Sequence, residues 1–210
     1  MDRFRDRIEA GRMLAARLRE KPPPTPVVLG LPRGGVPVAA EIAHALDAPL
    51  DVLVVRKLGV PWHREVAMGA VGEDGATVLN TEVTAAARVT LDDVEAAEQR
   101  ERAEVEQRVL RFREGRPPVP LTGRTAVIVD DGIATGATMR AACSIARARG
   151  AASVVVAVPV AAPDALSALD EADDVICLRA PEDFMAVGMH YLDFRQVDDS
   201  EVVELLRAAR

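Results

Sequence analysis

Cysteine is scarce in this 210-residue chain, which has only Cys143 and Cys177. Neither sits in a Cys-x-x-Cys pair or beside a histidine cluster, so neither a disulfide framework nor a zinc site is indicated. Long apolar runs are missing too. The longest, residues 151–162, contains Ser153 and Pro159 and falls short of the roughly 20 residues that span a bilayer. The start, Met1-Asp2-Arg3-Phe4-Arg5-Asp6, lacks the apolar core of a secretory signal. The expectation is a cytoplasmic protein without a membrane partner. There is no excess of positive charge: 26 basic residues face 33 acidic ones, a net charge of −7, which argues against a nucleic-acid partner. The imbalance is local, because residues 164–210 hold 12 acids and four arginines, and that places it away from the anion-binding segments described below. Lysine is nearly absent, with Lys21 and Lys57 the only two among the 26 basic residues. Lys57 therefore stands out.

What is present is ordinary globular usage, 49% apolar and 28% charged, and the length suits one domain. Residues 4–20 place Phe4, Ile8, Gly11, Leu14, Ala15 and Leu18 on one arc of a helix, a docking face. The prolines of residues 22–26 end it. Apolar runs at 27–31, 51–55, 126–129, 153–158 and 175–178 read as strands, and helical stretches at 36–46, 138–149 and 163–171 alternate with them. Such alternation, with strand interiors wholly apolar, predicts an α/β fold: a Rossmann-like parallel sheet with helices on both faces. Residues 56–65 hold Gly, Pro and several charges and read as a long loop. Residues 66–71 and 77–79 flank Glu73-Asp74-Gly75 as a hairpin. Residues 91–113 form a charged helix with a narrow apolar seam of Val105, Val109 and Phe112, packed along one edge. It belongs to a helical insertion of about 81–120 in a single domain over 1–210, with a further C-terminal segment of about 180–210.

The strongest motif is residues 126–139, where four apolar residues end in Asp130 and Asp131 and a small-residue loop then enters a helix. Backbone amides converging at a helix N-terminus bind phosphate, and the hydroxyls of Thr135 and Thr138 add donors. Two acids beside a phosphate cradle would repel phosphate. They fit instead as acceptors for sugar hydroxyls, or near a magnesium ion brought by the ligand. The loop Leu31-Pro32-Arg33-Gly34-Gly35 also lies between a strand and a helix. Its glycines admit an oxyanion to the backbone, although taken alone they suit a tight strand-to-helix turn better.

The stretch from Ala126 to Met139 closely resembles the phosphoribosyl pyrophosphate signature of the type I phosphoribosyltransferases. The resemblance spans roughly residues 27–80 and 121–195 and implies that Asp130 and Asp131 bind the ribose hydroxyls, while Ala134, Thr135, Gly136, Ala137 and Thr138 bind the 5'-phosphate. It assigns Arg33, Gly34 and Gly35 to the pyrophosphate loop. Arg56 and Lys57 resemble the start of the family's flexible catalytic loop, with Trp62, His63, Arg64 and Glu65 as lid candidates. Residues 181–194 look like the base-binding segment, in which Phe184 would stack on a base and Asp193 would help hold Mg2+. Each is one residue further from Gly188 than in the hypoxanthine-type pattern, and the residues themselves equally suit Phe184 and Phe194 in a core with Asp193 as a turn acid. Ala134 stands where hypoxanthine-type enzymes carry a catalytic aspartate, which disfavours that proton relay. The implied activity is Mg2+-dependent transfer of 5-phosphoribosyl from phosphoribosyl pyrophosphate to a small-molecule nitrogen nucleophile. The alternative is a non-catalytic sensor of the same ligand. A homo-oligomer is possible through the first helix or the insertion.

Overall fold

A computed structural model of the chain describes residues 3–209. The apolar runs become parallel strands in the order β2-β1-β6-β7-β8, comprising β1 (Pro26–Gly30), β2 (Leu50–Val52), β6 (Thr125–Val129), β7 (Ser153–Val160) and β8 (Asp174–Arg179). All five residues of β6 are buried, as a strand covered on both faces requires. One face is covered by α1 (Arg7–Glu20), α2 (Gly35–Leu46) and α7 (Asp199–Ala208), and the other by α5 (Ala137–Ala148) and the short α6 (Pro163–Ser167). The helix expected over 163–171 stops at Ser167. Asp170, Glu171, Asp173 and Asp174 crowd the stretch beyond it, where the negative end of the helix dipole disfavours acids.

A second, three-stranded antiparallel sheet is built from β3 (Arg56–Val60), β4 (His63–Val71) and β5 (Thr77–Leu79). The β4–β5 hairpin lies where it was expected. Residues 56–65, read from sequence as a loop, are instead mostly the β3–β4 hairpin, with Pro61 and Trp62 at its tip. Leu58 and Val60 alternate inward and are buried. At Gly59 a side chain would meet the Arg64 backbone at 2.6–3.1 Å, so the glycine permits close strand pairing rather than marking a loop.

The insertion comprises α3 (Thr81–Ala86) and α4 (Leu91–Arg113), the latter with the bounds expected from sequence. A capping box between Thr90 and Asp93 starts α4. Its inward residues Val94, Ala97, Val105 and Phe112 are buried, and it packs along β3 and α7. At its far end Arg113 is buried, donating from Nε to Asp51 Oδ1 at 2.8 Å, to the Val52 carbonyl at 3.0 Å and to Glu73. Arg149 lies 3.5 Å from the same Glu73 carboxylate. Glu73, read from sequence as part of a hairpin turn, thus anchors the insertion and the small sheet to β2.

Candidate functional site

In a parallel sheet, ligands bind at the carboxyl ends of strands where the chain order reverses. Here that point lies between β1 and β6, since β1 connects outward to β2 and β6 connects the other way to β7. Both sequence motifs emerge there. The loop after β1 returns across the sheet end, with the Leu31 amide donating to the Val129 carbonyl at 2.9 Å. A Cβ on Gly34 would overlap the Asp131 carboxylate, and one on Gly35 would overlap the Val129 carbonyl and Asp130. Neither glycine has positive φ. They are needed because the loop presses directly on the acid pair, not because the turn is left-handed. The Pro32–Arg33 peptide is cis.

Beyond the acids, Ala134, Thr135 and Thr138 are exposed, and Gly136 takes φ +77° as the residue before α5. No side chain caps α5. Among the described residues, the amides of residues 134–139 make no hydrogen bond. Donors left free at a helix start form an anion site.

The acids sit in an unusual field. Burial pushes the Asp130 carboxyl well above the usual carboxylate range, and the neighbouring Asp131 adds to that. Burial also raises Asp131, while Arg7 opposes the rise. Arg7 projects from the first turn of α1 and donates to Asp131 Oδ2 from both Nε and Nη2, at 2.9 and 2.7 Å. Its Nη1 donates to the Arg195 carbonyl at 2.8 Å, and its guanidinium lies 4.0 Å from the Phe194 ring centroid. Tyr191 completes the enclosure, its hydroxyl donating to the Asp131 carbonyl at 2.6 Å. Sequence reading missed both residues. Arg7 carried a signal, since it falls among the inward positions of α1 beside Ala10, Gly11 and Leu14; a charge on an apolar arc needs a buried partner.

Residues 4–5 and 190–193 run together as a cover beside the site, with Phe4 bridging Tyr191 and exchanging backbone hydrogen bonds with His190 and Leu192. Phe4, Phe184, Tyr191 and Phe194, four of the six Phe, Tyr and Trp residues, gather there. The Phe184 ring stacks on His190, with centroids 5.5 Å apart. Val187 packs so near Gly132 that a Cβ there would lie 2.6 Å from it. The C-terminal segment therefore rests on the signature loop. Asp193 is exposed and accepts from the Arg195 amide at 3.1 Å.

The remaining cations come from different elements. Arg33 lies 3.7 Å from Asp199 at the start of α7, which also pairs with Arg111. The acidic C-terminal region is thus not remote from the glycine loop after β1, contrary to the expectation from sequence. Arg56 donates from Nε to Glu101 of α4 at 2.9 Å. Lys57 is exposed and lines a cavity of about 440 Å³ with Asn80, Ala137, Arg140 and Ser144. The lysine and the first residue of α5 therefore border one space.

Among known proteins, the phosphoribosyl transferase domain family matches residues 70–193. A "Putative phosphoribosyl transferase" of Mycobacterium tuberculosis, present in two strains, is 54% identical over 210 residues, covering 100% of this chain and 47% of its own length. The chain thus spans about half the length of these curated relatives. A solved structure from Thermus thermophilus superposes with a TM-score of 0.90 at 47% identity, covering 97% of both chains. A hypothetical protein from Neisseria gonorrhoeae, solved with bound ppGpp, shares the fold at a TM-score of 0.54 and 14% identity, covering 100% of this chain and 99% of its own.

Proposed function

Because the chain belongs to the phosphoribosyl transferase family, we propose that it binds phosphoribosyl pyrophosphate and transfers its 5-phosphoribosyl group to a ring nitrogen of a small acceptor, releasing pyrophosphate. The observation that carries this reading is the meeting of three ligand-shaped features at one switch point: the free amides before α5, the acid pair after β6 and the glycine loop after β1.

The 5'-phosphate sits on the amides of residues 134–138, helped by the hydroxyls of Thr135 and Thr138. Asp130 and Asp131 accept from the ribose hydroxyls. The pyrophosphate lies along Arg33, Gly34 and Gly35, where Arg33 offsets charge that grows as the C1'–oxygen bond breaks. Arg56 and Lys57, on the β3–β4 hairpin, serve the same leaving group when the hairpin moves toward it and excludes water. Held at both phosphates, the ring presents C1' to the acceptor nitrogen, and the C1'–nitrogen bond forms as pyrophosphate departs. The nitrogen's proton passes to solvent or to the leaving group. Phe184 and the aromatic cover bound the acceptor side.

Magnesium fits as a companion of the ligand. Among the described residues, no cluster of three or more His, Cys, Asp or Glu could hold a metal, and Asp193 accepts a backbone amide. Asp130 and Asp131 are the carboxylates beside the sugar, and Mg2+ bound through ligand oxygens would neutralise pyrophosphate charge. The test is pyrophosphate release from phosphoribosyl pyrophosphate across purines, pyrimidines and other ring nitrogens, with Lys57→Ala as the comparison. Release with one acceptor class, slowed roughly tenfold or more in Lys57→Ala, supports the reading. Tight binding without release for any acceptor would make the protein a sensor of the same ligand.

A further inference from the structure

We propose that Arg7 of α1 is a positioning residue of this site: by clamping Asp131 through one oxygen it leaves the other free to accept from a sugar hydroxyl, and it supplies the positive charge against which two adjacent carboxylates can stand. The inference rests on the ligand reading above but concerns a residue outside every motif that suggested it.

Three observations carry it. Both Arg7 hydrogen bonds fall on Oδ2 of Asp131, and among the described residues no other residue's side chain donates to that carboxylate. The guanidinium is itself held on two further sides, by the Arg195 carbonyl and the Phe194 ring. Its side chain is only 10% exposed and that of Asp131 only 14%, so the pair is shielded from solvent screening. A planar guanidinium fixed at three points sets the rotamer of the carboxylate it grips. A surface ion pair would not.

The charges around the pair act in a definite direction. The titratable and charged groups facing Asp131 are Asp130 beside it, Arg7 from α1 and Tyr191 from the C-terminal segment, while Arg179 at the end of β8 acts on Tyr191. Burial and mutual repulsion favour a proton on the acid pair, and Arg7 acts against that proton. A protonated carboxyl loses acceptor capacity. Without Arg7 the proton persists to higher pH, and hydroxyl binding weakens most at the acid end.

The test is calorimetric titration of magnesium phosphoribosyl pyrophosphate against wild type, Arg7→Gln and Arg7→Lys between about pH 6 and pH 9, with magnesium pyrophosphate as a ligand lacking the sugar. The expected result is sugar-ligand affinity about tenfold or more weaker in Arg7→Gln near pH 6.5, the size of one charge-assisted hydrogen bond. The deficit shrinks as pH rises, and pyrophosphate binding is unchanged. Arg7→Lys restores the wild-type pH profile but not the full affinity, since lysine keeps the charge without the fork. Equal affinity and pH profile in wild type and Arg7→Gln, with wild type binding normally, would overturn the inference alone. Parallel loss of both ligands would show a collapsed pocket and overturn it as well. No binding of the sugar ligand by wild type would overturn the ligand reading and this inference with it.

Discussion

Asp130 and Asp131 illustrate a conflict resolved within a few ångströms. Two adjacent carboxylates at a sheet end, largely shut from water, repel each other, and burial raises both. A carboxyl whose folded-state pKa lies above its unfolded value contributes stability below the unfolded pKa, and that contribution is lost as pH rises through the folded value. The acid pair therefore stabilises the ligand-free protein less as pH rises. Asp130→Asn is expected to raise stability by roughly 1 kcal/mol near pH 7.5, because Asn Oδ1 can still accept from the Asp131 amide as Asp130 does at 2.9 Å. The gain should fade toward pH 4, as thermal melts across pH would show. Gly34 poses the opposite case. Gly34→Ala drives a methyl into the Asp131 carboxylate, with an expected stability loss of about 1–3 kcal/mol and loss of ligand binding, both measurable by denaturation and calorimetry.

At the scale of elements, the insertion helix α4 and the small sheet are fastened to the main sheet through Arg113. Its partners Asp51 and Glu73 are each 4% exposed, so Arg113→Ala leaves two carboxylates buried without their main counter-charge. The expected loss is about 3–5 kcal/mol, greatest at alkaline pH where the Glu73 carboxyl is ionised; urea denaturation at two pH values checks it. Burial already raises the Glu73 carboxyl despite Arg113 and Arg149, so protonation at acid pH softens the penalty. These elements also show what sequence can reveal. The strands of the main sheet were legible as uninterrupted apolar runs, and α4 was legible because its charges and the seam of Val105, Val109 and Phe112 follow a helical period. The β3–β4 hairpin was not, since Gly59 and Pro61 mimic a loop and only a partner strand reveals that Leu58 and Val60 face inward. The signature loop and acid pair were legible because their chemistry is local. Arg7 and Tyr191 were not, because they meet Asp131 across 124 and 60 residues of chain.

Across the whole molecule, charge is arranged by contact rather than by region. The acid-rich C-terminal part folds back so that Asp199 meets Arg33 and Arg111 while Glu201 holds Arg195. The N-terminal segment and the segment before α7 meet at the site, with Phe4 and Arg7 on one side and Tyr191 and Phe194 on the other. The central claim is that the switch point between β1 and β6 binds phosphoribosyl pyrophosphate through its acid pair. Calorimetric titration of that ligand with magnesium, into wild type and into the double variant Asp130→Asn/Asp131→Asn, tests it most directly. Saturable one-site binding is expected in wild type, with affinity lower by at least about tenfold in the variant while the variant stays folded. Equal binding by the two proteins, or none by wild type, would contradict it.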